Sequence, residues 1–324
     1  MAQRKNAAPA LVDGLTQDLG GPRTSKLLDR LDAAVPWEKL AKPVLRLPEY
    51  RNRGVGRPAW PALTMLKCLL LAKWFNLSDP QLEECLQDRL SFRRFVGLSL
   101  TDSTPDETTF VVFRRRLREA KLHEKLFDTV LDHIEKQGLL IKEGTLVDAT
   151  IIEQSTGRKR EDGTSTRDED ASFTQKHGCK HHGYKGHIAA DQSGIVVKYQ
   201  FSTAKDHDSR YIDELTAHES SGGAVIADSA YSDQQRRRRL RKRGVIDGIV
   251  YKRVRGQAKL HDWQERWNRL VAKLRAKVEH PLGMMKQQFG YRRVRYRGLE
   301  RNAFDFCVTL IAANVKRSLS LAER

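Results

Sequence analysis

Apolar positions along the chain fall into two regimes. From about residue 58 to 138 they recur at helical spacing, and from Gly144 onward they gather in short runs separated by polar turns. After Arg57-Pro58, the residues Leu63, Leu66, Leu69, Leu70 and Leu71 predict a helix ending near Phe75-Asn76. Ser78 is placed to cap a second helix, with Leu82, Cys85, Leu86 and Leu90 on one side. Thr104-Pro105-Asp106-Glu107 reads as a capping box with Pro at the first helical position, opening a third helix with Phe110, Phe113 and Leu117 inside. A fourth runs from about Leu122 to Lys136 and stops at Gly138. A weaker amphipathic pattern covers Ser25 to Leu40, and residues 1–22 read as a flexible arm.

The second regime predicts strands. Gly144 to Ile152 is β-branched or apolar at nearly every position, as in a strand buried on both faces, yet carries Asp148 in its middle. Ala224 to Asp228 repeats the design. Gly183–Ala190 and Ile195–Ser202 form a hairpin around Asp191-Gln192-Ser193-Gly194, and Val245–Tyr251 gives a fifth strand. Helices are expected from about Asp208 to Ser220, from the box Ser232-Asp233-Gln234-Gln235 to Gly244, and from about Asp262 to Phe289. In the last of these, Trp263, Trp267, Leu270, Leu274, Val278 and Met285 form one stripe, with Arg275, Glu279 and Lys286 about 100° from its centre. The polar segment at about 153–182 reads as a flexible loop. The expected fold is α/β, a mixed five-stranded sheet with helices at 141–324, preceded by an all-α domain at 23–140.

Charge narrows the partner. Lys and Arg number 59 against 41 Asp and Glu, a formal net charge of +18 and a pI near 9.9. Such an excess calls for a polyanion, and nucleic acid is the commonest. No apolar run approaches the ~20 residues of a spanning helix, so a soluble, cytoplasmic, nucleoid-associated protein without a membrane partner is expected. The four cysteines are scattered without CxxC spacing, and the cluster His177, Cys179, His181 and His182 matches no closed zinc pattern. The third helix exposes Arg114, Arg115, Arg116 and Arg118, the pattern of a helix-turn-helix DNA reader or of a solvated bundle face. The runs Arg236–Arg239, Arg241–Arg243 and Arg292–Arg297 are candidates for a path of DNA over the second domain.

An unpaired carboxylate in a buried strand costs several kcal/mol unless a cation or donors meet it. Two such aspartates ask for a common partner. Taken with Glu279, they give the chain its resemblance to DDE transposases of bacterial insertion sequences, in particular the insertion-sequence-five family, over about Trp37 to Ala313. The matching motifs are Gly144-Thr145-Leu146-Val147-Asp148-Ala149-Thr150, Ala227-Asp228-Ser229-Ala230-Tyr231 and Arg275-x3-Glu279-x6-Lys286, with Gly183-Tyr184-Lys185-Gly186-His187 and His207-Asp208 also similar. Ala272 stands where the family often has Tyr, so no tyrosine contact carries over.

The resemblance implies an RNase H-like domain whose Asp148, Asp228 and Glu279 converge as catalytic residues and hold two Mg²⁺ ions, or Mn²⁺ in their place. By the same resemblance Asp148 touches both ions. Arg275 and Lys286 hold scissile-strand phosphates, with Lys185 and His207 as secondary contacts and Arg114, Arg115, Arg118, Arg292 and Arg293 as further DNA-binding candidates. The implied activity is binding of the element's terminal inverted repeats, cleavage at its ends and joining of the 3′-OH to target DNA. A homodimer or higher oligomer on double-stranded DNA is expected. A nuclease of the same fold that cuts without joining, or a domesticated DNA-binding protein, are the alternatives.

Overall fold

The computed structural model describes residues 23–51, 58–158, 165–176, 178–253 and 256–323. The expected N-terminal arm and His177 lie outside the described residues. Two compact units are formed: one holds the residues up to Ile134 together with those from Cys307, the other holds Glu135–Phe306.

The first unit is helical: α1 (Arg23–Ala34), α2 (Trp37–Val44), α3 (Pro48–Arg51), α4 (Ala62–Trp74), α5 (Asp79–Asp88), α6 (Leu90–Val96), α7 (Glu107–Glu119) and α8 (Leu122–Lys136), whose last two residues pass into the second unit. The weak Ser25–Leu40 pattern is thus two helices, broken where Pro36 cannot continue the first. Helix α4 is buried on nearly every side, with Leu63 an exposed exception. Its Lys67 is tolerated inside because the ammonium lies 2.6 Å from Asp32 and over the rings of Trp37 and Phe95. Ser78 caps α5 as expected, and Gln81 completes a capping box with it. Helix α7, however, is capped by Asp106 rather than Thr104: the Asp106 carboxylate accepts the Thr109 N–H at 2.7 Å, and the chain at Pro105 is still irregular.

The second unit is built on a sheet of six strands: β1 (Thr145–Glu153), β2 (Ser172–Lys176), β3 (Cys179–Ala190), β4 (Val196–Thr203), β5 (Ala224–Ala227) and β6 (Ile246–Ile249). The order is β2-β3-β1-β5-β6, with β4 also on β3. Strands β1, β3 and β4 pair antiparallel, while β5 and β6 run parallel to β1. That order and those directions are the RNase H-like fold. The sixth strand, β2, arises inside the stretch expected to be a loop, where the sequence shows no apolar alternation.

Both faces of the sheet are covered, which is why β1 reads as continuously apolar. On one face Val147, Val225 and Ala227 pack with Ile212, Leu215, Leu240 and Val245. On the other, Phe306 sits over Gly186, where a Cβ would meet the ring at 2.4 Å, so bare backbone makes room for the aromatic. Phe201 lies 5.2 Å from the same ring.

The helices of this unit depart from expectation in three places, the first being that the helix expected to open with a box at Ser232 is capped by Asp233, whose carboxylate accepts the Gln235 N–H at 3.1 Å. The predicted helix from Asp208 to Ser220 is a 3-10 turn, Asp208–Arg210, followed by the short α9 (Ile212–Leu215). After α10 (Gln234–Lys242), the predicted single helix from Asp262 to Phe289 is α11 (Asp262–Arg275), α12 (Glu279–Gly283) and a π-helical turn, Met284–Gln288. The reason is Pro281. It has no N–H for the carbonyl of Lys277, and its ring collides with that carbonyl in a continuous helix, so the break falls at Ala276–Val278. The stripe is disrupted accordingly: Val271 and Val278 are buried, whereas Trp263 and Leu270 are 54% and 58% exposed. Helix α13 (Leu299–Ala322) belongs to this unit up to Phe306 and to the first from Cys307, where sequence reading had kept it whole with the sheet. Among the described residues no helix is long and apolar enough to cross a membrane.

Candidate active site

Parallel pairing of β1 with β5 ends at Val147 opposite Ala227, so the next residues, Asp148 and Asp228, stand side by side at the carboxyl end of β5. Asp148 accepts the Ala149 N–H at 2.8 Å, and Asp228 accepts that of Ser229. Burial pushes the Asp148 carboxyl above its ordinary value and the charge of Asp228 adds to this, against the Ala149 N–H, Arg275 and Lys176, which pull it down. Two hard carboxylates that repel each other this closely suit a divalent cation such as Mg²⁺, so the pair fits the ion the family implies.

Arg275, the last residue of α11, brings its Nη1 to 3.7 Å from Asp228 Oδ1, while its buried Nε has no hydrogen-bond partner among the described residues. Lys286 lies half-buried in the π-helical turn. Burial lowers its pKa, as do Lys176 and Arg292, while Asp148 and Glu153 oppose the shift. Arg292 donates from Nε to the Lys286 carbonyl at 3.3 Å, and Arg293 Nε is 3.7 Å from Glu153. Glu279 is not drawn in with the aspartates. It opens α12 beyond the break and is exposed, and among the described residues no group of three or more His, Cys, Asp or Glu is placed to hold a metal.

Several basic candidates are occupied internally. Lys185 lies 2.9 Å from Asp208 and donates to the Asp206 carbonyl at 2.8 Å, so its charge is spent inside the fold. His207 caps the Asp208–Arg210 turn through Ser209. Arg114 makes a two-pronged pair with Asp79, whereas Arg115 is exposed 3.9 Å from Glu119 and Arg118 is half-buried. The arginine run is the largest correction. Arg236 and Arg237 are buried: Arg236 bonds to Asp213, the Tyr231 carbonyl and the Ser209 carbonyl, and Arg237 to Asp247 at 2.7 Å and to the carbonyls of Ile249 and Val250. In the segment considered for zinc, His181 meets Glu153 at 3.2 Å, His182 is buried against the Gln154 carbonyl, and Cys179 is exposed.

Two nearby residues escaped the sequence reading. Tyr231 is buried in the field of Asp208, Asp148 and Asp228, and its hydroxyl has no partner among the described residues. Lys176 lay in the supposed loop. The position of Tyr231 within the second acidic motif was a usable signal, whereas Lys176 had none.

Together, an RNase H-like sheet and two aspartates set side by side where β1 and β5 stop pairing, with Arg275 beside them, define a class of proteins with an acidic, metal-suited site on the sheet. Residues 140–315 match the Transposase DDE domain family and residues 20–116 the Transposase domain (DUF772) family. The chain belongs to the DDE transposase family. Among solved structures it is similar to the piggyBac transposase synaptic complex with hairpin DNA, determined by cryo-EM, at 10% identity and a TM-score of 0.46, covering 91% of this chain and 74% of that one. At that distance the likeness carries no argument, and the assignment stands on the family matches.

Proposed function

We propose that the protein binds the terminal inverted repeats of its own insertion sequence, cleaves DNA at the element ends and joins the exposed 3′-OH to target DNA. The observation that carries this reading is the juxtaposition of Asp148 and Asp228 at the β1–β5 edge, with Arg275 and Lys286 beside them. Asp148 and Asp228 would hold the divalent cation, with Glu279 as the third ligand by its place in the Arg275-x3-Glu279-x6-Lys286 motif. The cation, when bound, supplies Lewis-acid polarisation of the phosphate and activation of the attacking oxygen.

The residues around it orient the substrate. Arg275 and Lys286 hold non-bridging phosphate oxygens, which fixes the in-line approach of the nucleophile. In the first step water attacks phosphorus and gives up a proton to solvent, the P–O3′ bond breaks, and the departing 3′-oxygen takes up a proton from solvent to leave as a 3′-OH beside a 5′-phosphate. In the second that 3′-OH attacks a target phosphodiester and a target 3′-oxygen leaves, so one bond forms for each that breaks. Two element ends need two sites, so the joining assembly is at least a dimer on DNA, and the basic exposed positions Arg115, Arg292 and Arg293 contact its backbone.

The experiment is a cleavage and joining assay with Mg²⁺ on DNA carrying the ends that flank this gene. Wild type should nick at the ends and yield joined product. Asp148→Asn, Asp228→Asn and Glu279→Gln should each lose both steps while still binding DNA. Near wild-type cleavage by Glu279→Gln would remove Glu279 from the site.

A further inference from the structure

The two aspartates of the site are held very differently. Asp148 lies within the paired part of β1, opposite Ile188 of β3, so the sheet itself fixes its backbone. Asp228 stands one residue past the end of β5, where the ladders with β1 and β6 have both stopped. Its position is set by a 3-10 turn, Ser229–Tyr231. The Tyr231 N–H donates to the Asp228 carbonyl at 3.0 Å, and the Ser232 N–H to the Ser229 carbonyl at 3.0 Å. Taken alone, so short a 3-10 turn is a weak support.

Arg236 ties that turn down. It sits in the first turn of α10 with its side chain only 7% exposed, and its three nitrogens point three ways. Nη1 donates to the Tyr231 carbonyl at 2.7 Å, Nη2 to the Ser209 carbonyl at 2.8 Å and Nε to Asp213 at 3.1 Å. The first bond grips the end of the Asp228 turn, and the second grips the turn Asp208–Arg210. Lys185 of β3 anchors this second turn, lying 2.9 Å from Asp208 and donating to the Asp206 carbonyl at 2.8 Å. Lys185 in turn pairs with Ile151 of β1, three residues beyond Asp148. The brace thus closes a ring from β1 through β3, Lys185, the Asp208 turn and Arg236 to the Asp228 turn, and back through β5. Only a planar fork reaches these acceptors from one side chain, because an ammonium is a point charge and cannot span two carbonyls and a carboxylate.

We propose that Arg236 is a positioning residue for the acidic site, holding the Asp228 turn at the separation from Asp148 that a divalent cation needs. It touches neither the cation nor DNA. The inference rests on the metal-dependent transposase reading above and gives Lys185 and Asp208 a place in it as links of the brace.

The test uses Mn²⁺ as the probe, because the electron paramagnetic resonance signal of the free ion reports binding without turnover. Full-length wild type, Arg236→Lys, Arg236→Gln and Arg243→Lys are titrated, with Asp148→Asn identifying the binding that belongs to the site. Arg243 follows the other end of α10 and donates to the carbonyls of Thr216, Ala217 and Glu219 at 3.4, 3.2 and 2.6 Å, a clamp of the same kind on a different segment. Removing a group that orients a metal ligand typically costs about 10–100-fold in metal affinity, so Arg236→Lys should weaken Mn²⁺ binding by about 10-fold or more. The Mg²⁺ concentration for half-maximal nicking of the flanking ends should rise by a similar factor, and excess Mg²⁺ should restore much of the rate. Arg236→Gln, which keeps a donor but no charge, should behave alike. DNA affinity in EDTA and its salt dependence should stay at wild type, since Arg236 is buried. Arg243→Lys should keep the wild-type affinity for the ion whatever it costs in stability. Wild-type Mn²⁺ affinity in both Arg236 variants, or an equal loss in Arg243→Lys, overturns the brace while the transposase reading stands. If wild type binds the ends but neither takes up Mn²⁺ at Asp148 nor nicks them, the reading itself fails and the inference with it.

Discussion

Arg237 decides whether the arginine run of α10 is a DNA-binding face or part of the fold. Its guanidinium is paired with Asp247 at 2.7 Å, donates to the carbonyls of Ile249 and Val250 at 3.0 and 3.2 Å, and lies 3.9 Å from the centre of the Tyr251 ring. The side chains of Arg237 and Asp247 are 9% and 6% exposed. Arg237→Ala leaves Asp247 as a buried, uncompensated charge, and breaking a pair of this kind costs about 3–5 kcal/mol. With a urea m-value of about 2 kcal/mol/M, the midpoint should fall by about 1.5–2.5 M. Arg238, its exposed neighbour, should change stability by less than about 0.5 kcal/mol when replaced by Ala. Replacing both partners together, Arg237→Met with Asp247→Leu, should recover most of the loss, since an apolar pair of similar volume leaves no orphaned charge. The assay is urea unfolding followed by tryptophan fluorescence, with DNA affinity measured alongside. A midpoint shift for Arg237→Ala no larger than that for Arg238→Ala, accompanied by a shallower salt dependence of DNA binding, would refute the structural role.

Two further outcomes follow from individual residues. His187 is fully buried against Ser202 and Tyr211, with Asp208, Lys185 and Asp206 as its charged neighbours, and burial pushes its pKa down to about 4. The unfolded chain takes up this proton near pH 6.5, so the stability His187 permits is complete above that value and falls by about 3 kcal/mol as pH drops to about 4. Chemical denaturation of wild type and His187→Asn across that range should give the variant the flatter profile, and parallel profiles would exclude His187 as the source. Pro281→Ala restores an N–H facing the Lys277 carbonyl and should let α11 continue through Ala276–Val278, slowing hydrogen exchange there. Unchanged fast exchange would mean that something other than Pro281 sets the break.

The sequence alone determined features that depend on local chemistry. An aspartate inside an apolar strand is conspicuous because burying it unpaired is costly, and Asp148 and Asp228 stood out on that ground, whereas the strand order that sets them side by side was implied only by the family resemblance. The ends of α4, α5 and α8 were legible from Ser78, Asn76 and Gly138, since caps and turns are set within a few residues. Pro281 was equally visible, but the regular apolar spacing through Met285 masked the lost hydrogen bond it imposes. What only the tertiary structure decided depends on partners far along the chain. Arg236 and Arg237 look identical in sequence to the exposed Arg238 and Arg239, and are buried because α10 turns them toward Asp213, Asp247 and unpaired carbonyls. Lys185 is neutralised by an Asp208 reached only when β4 folds back on β3. Strand β2 has no apolar alternation of its own and exists because the edge of β3 offers it a ladder of hydrogen bonds. A backbone edge, unlike a side chain, leaves no trace in the sequence of the strand that pairs with it.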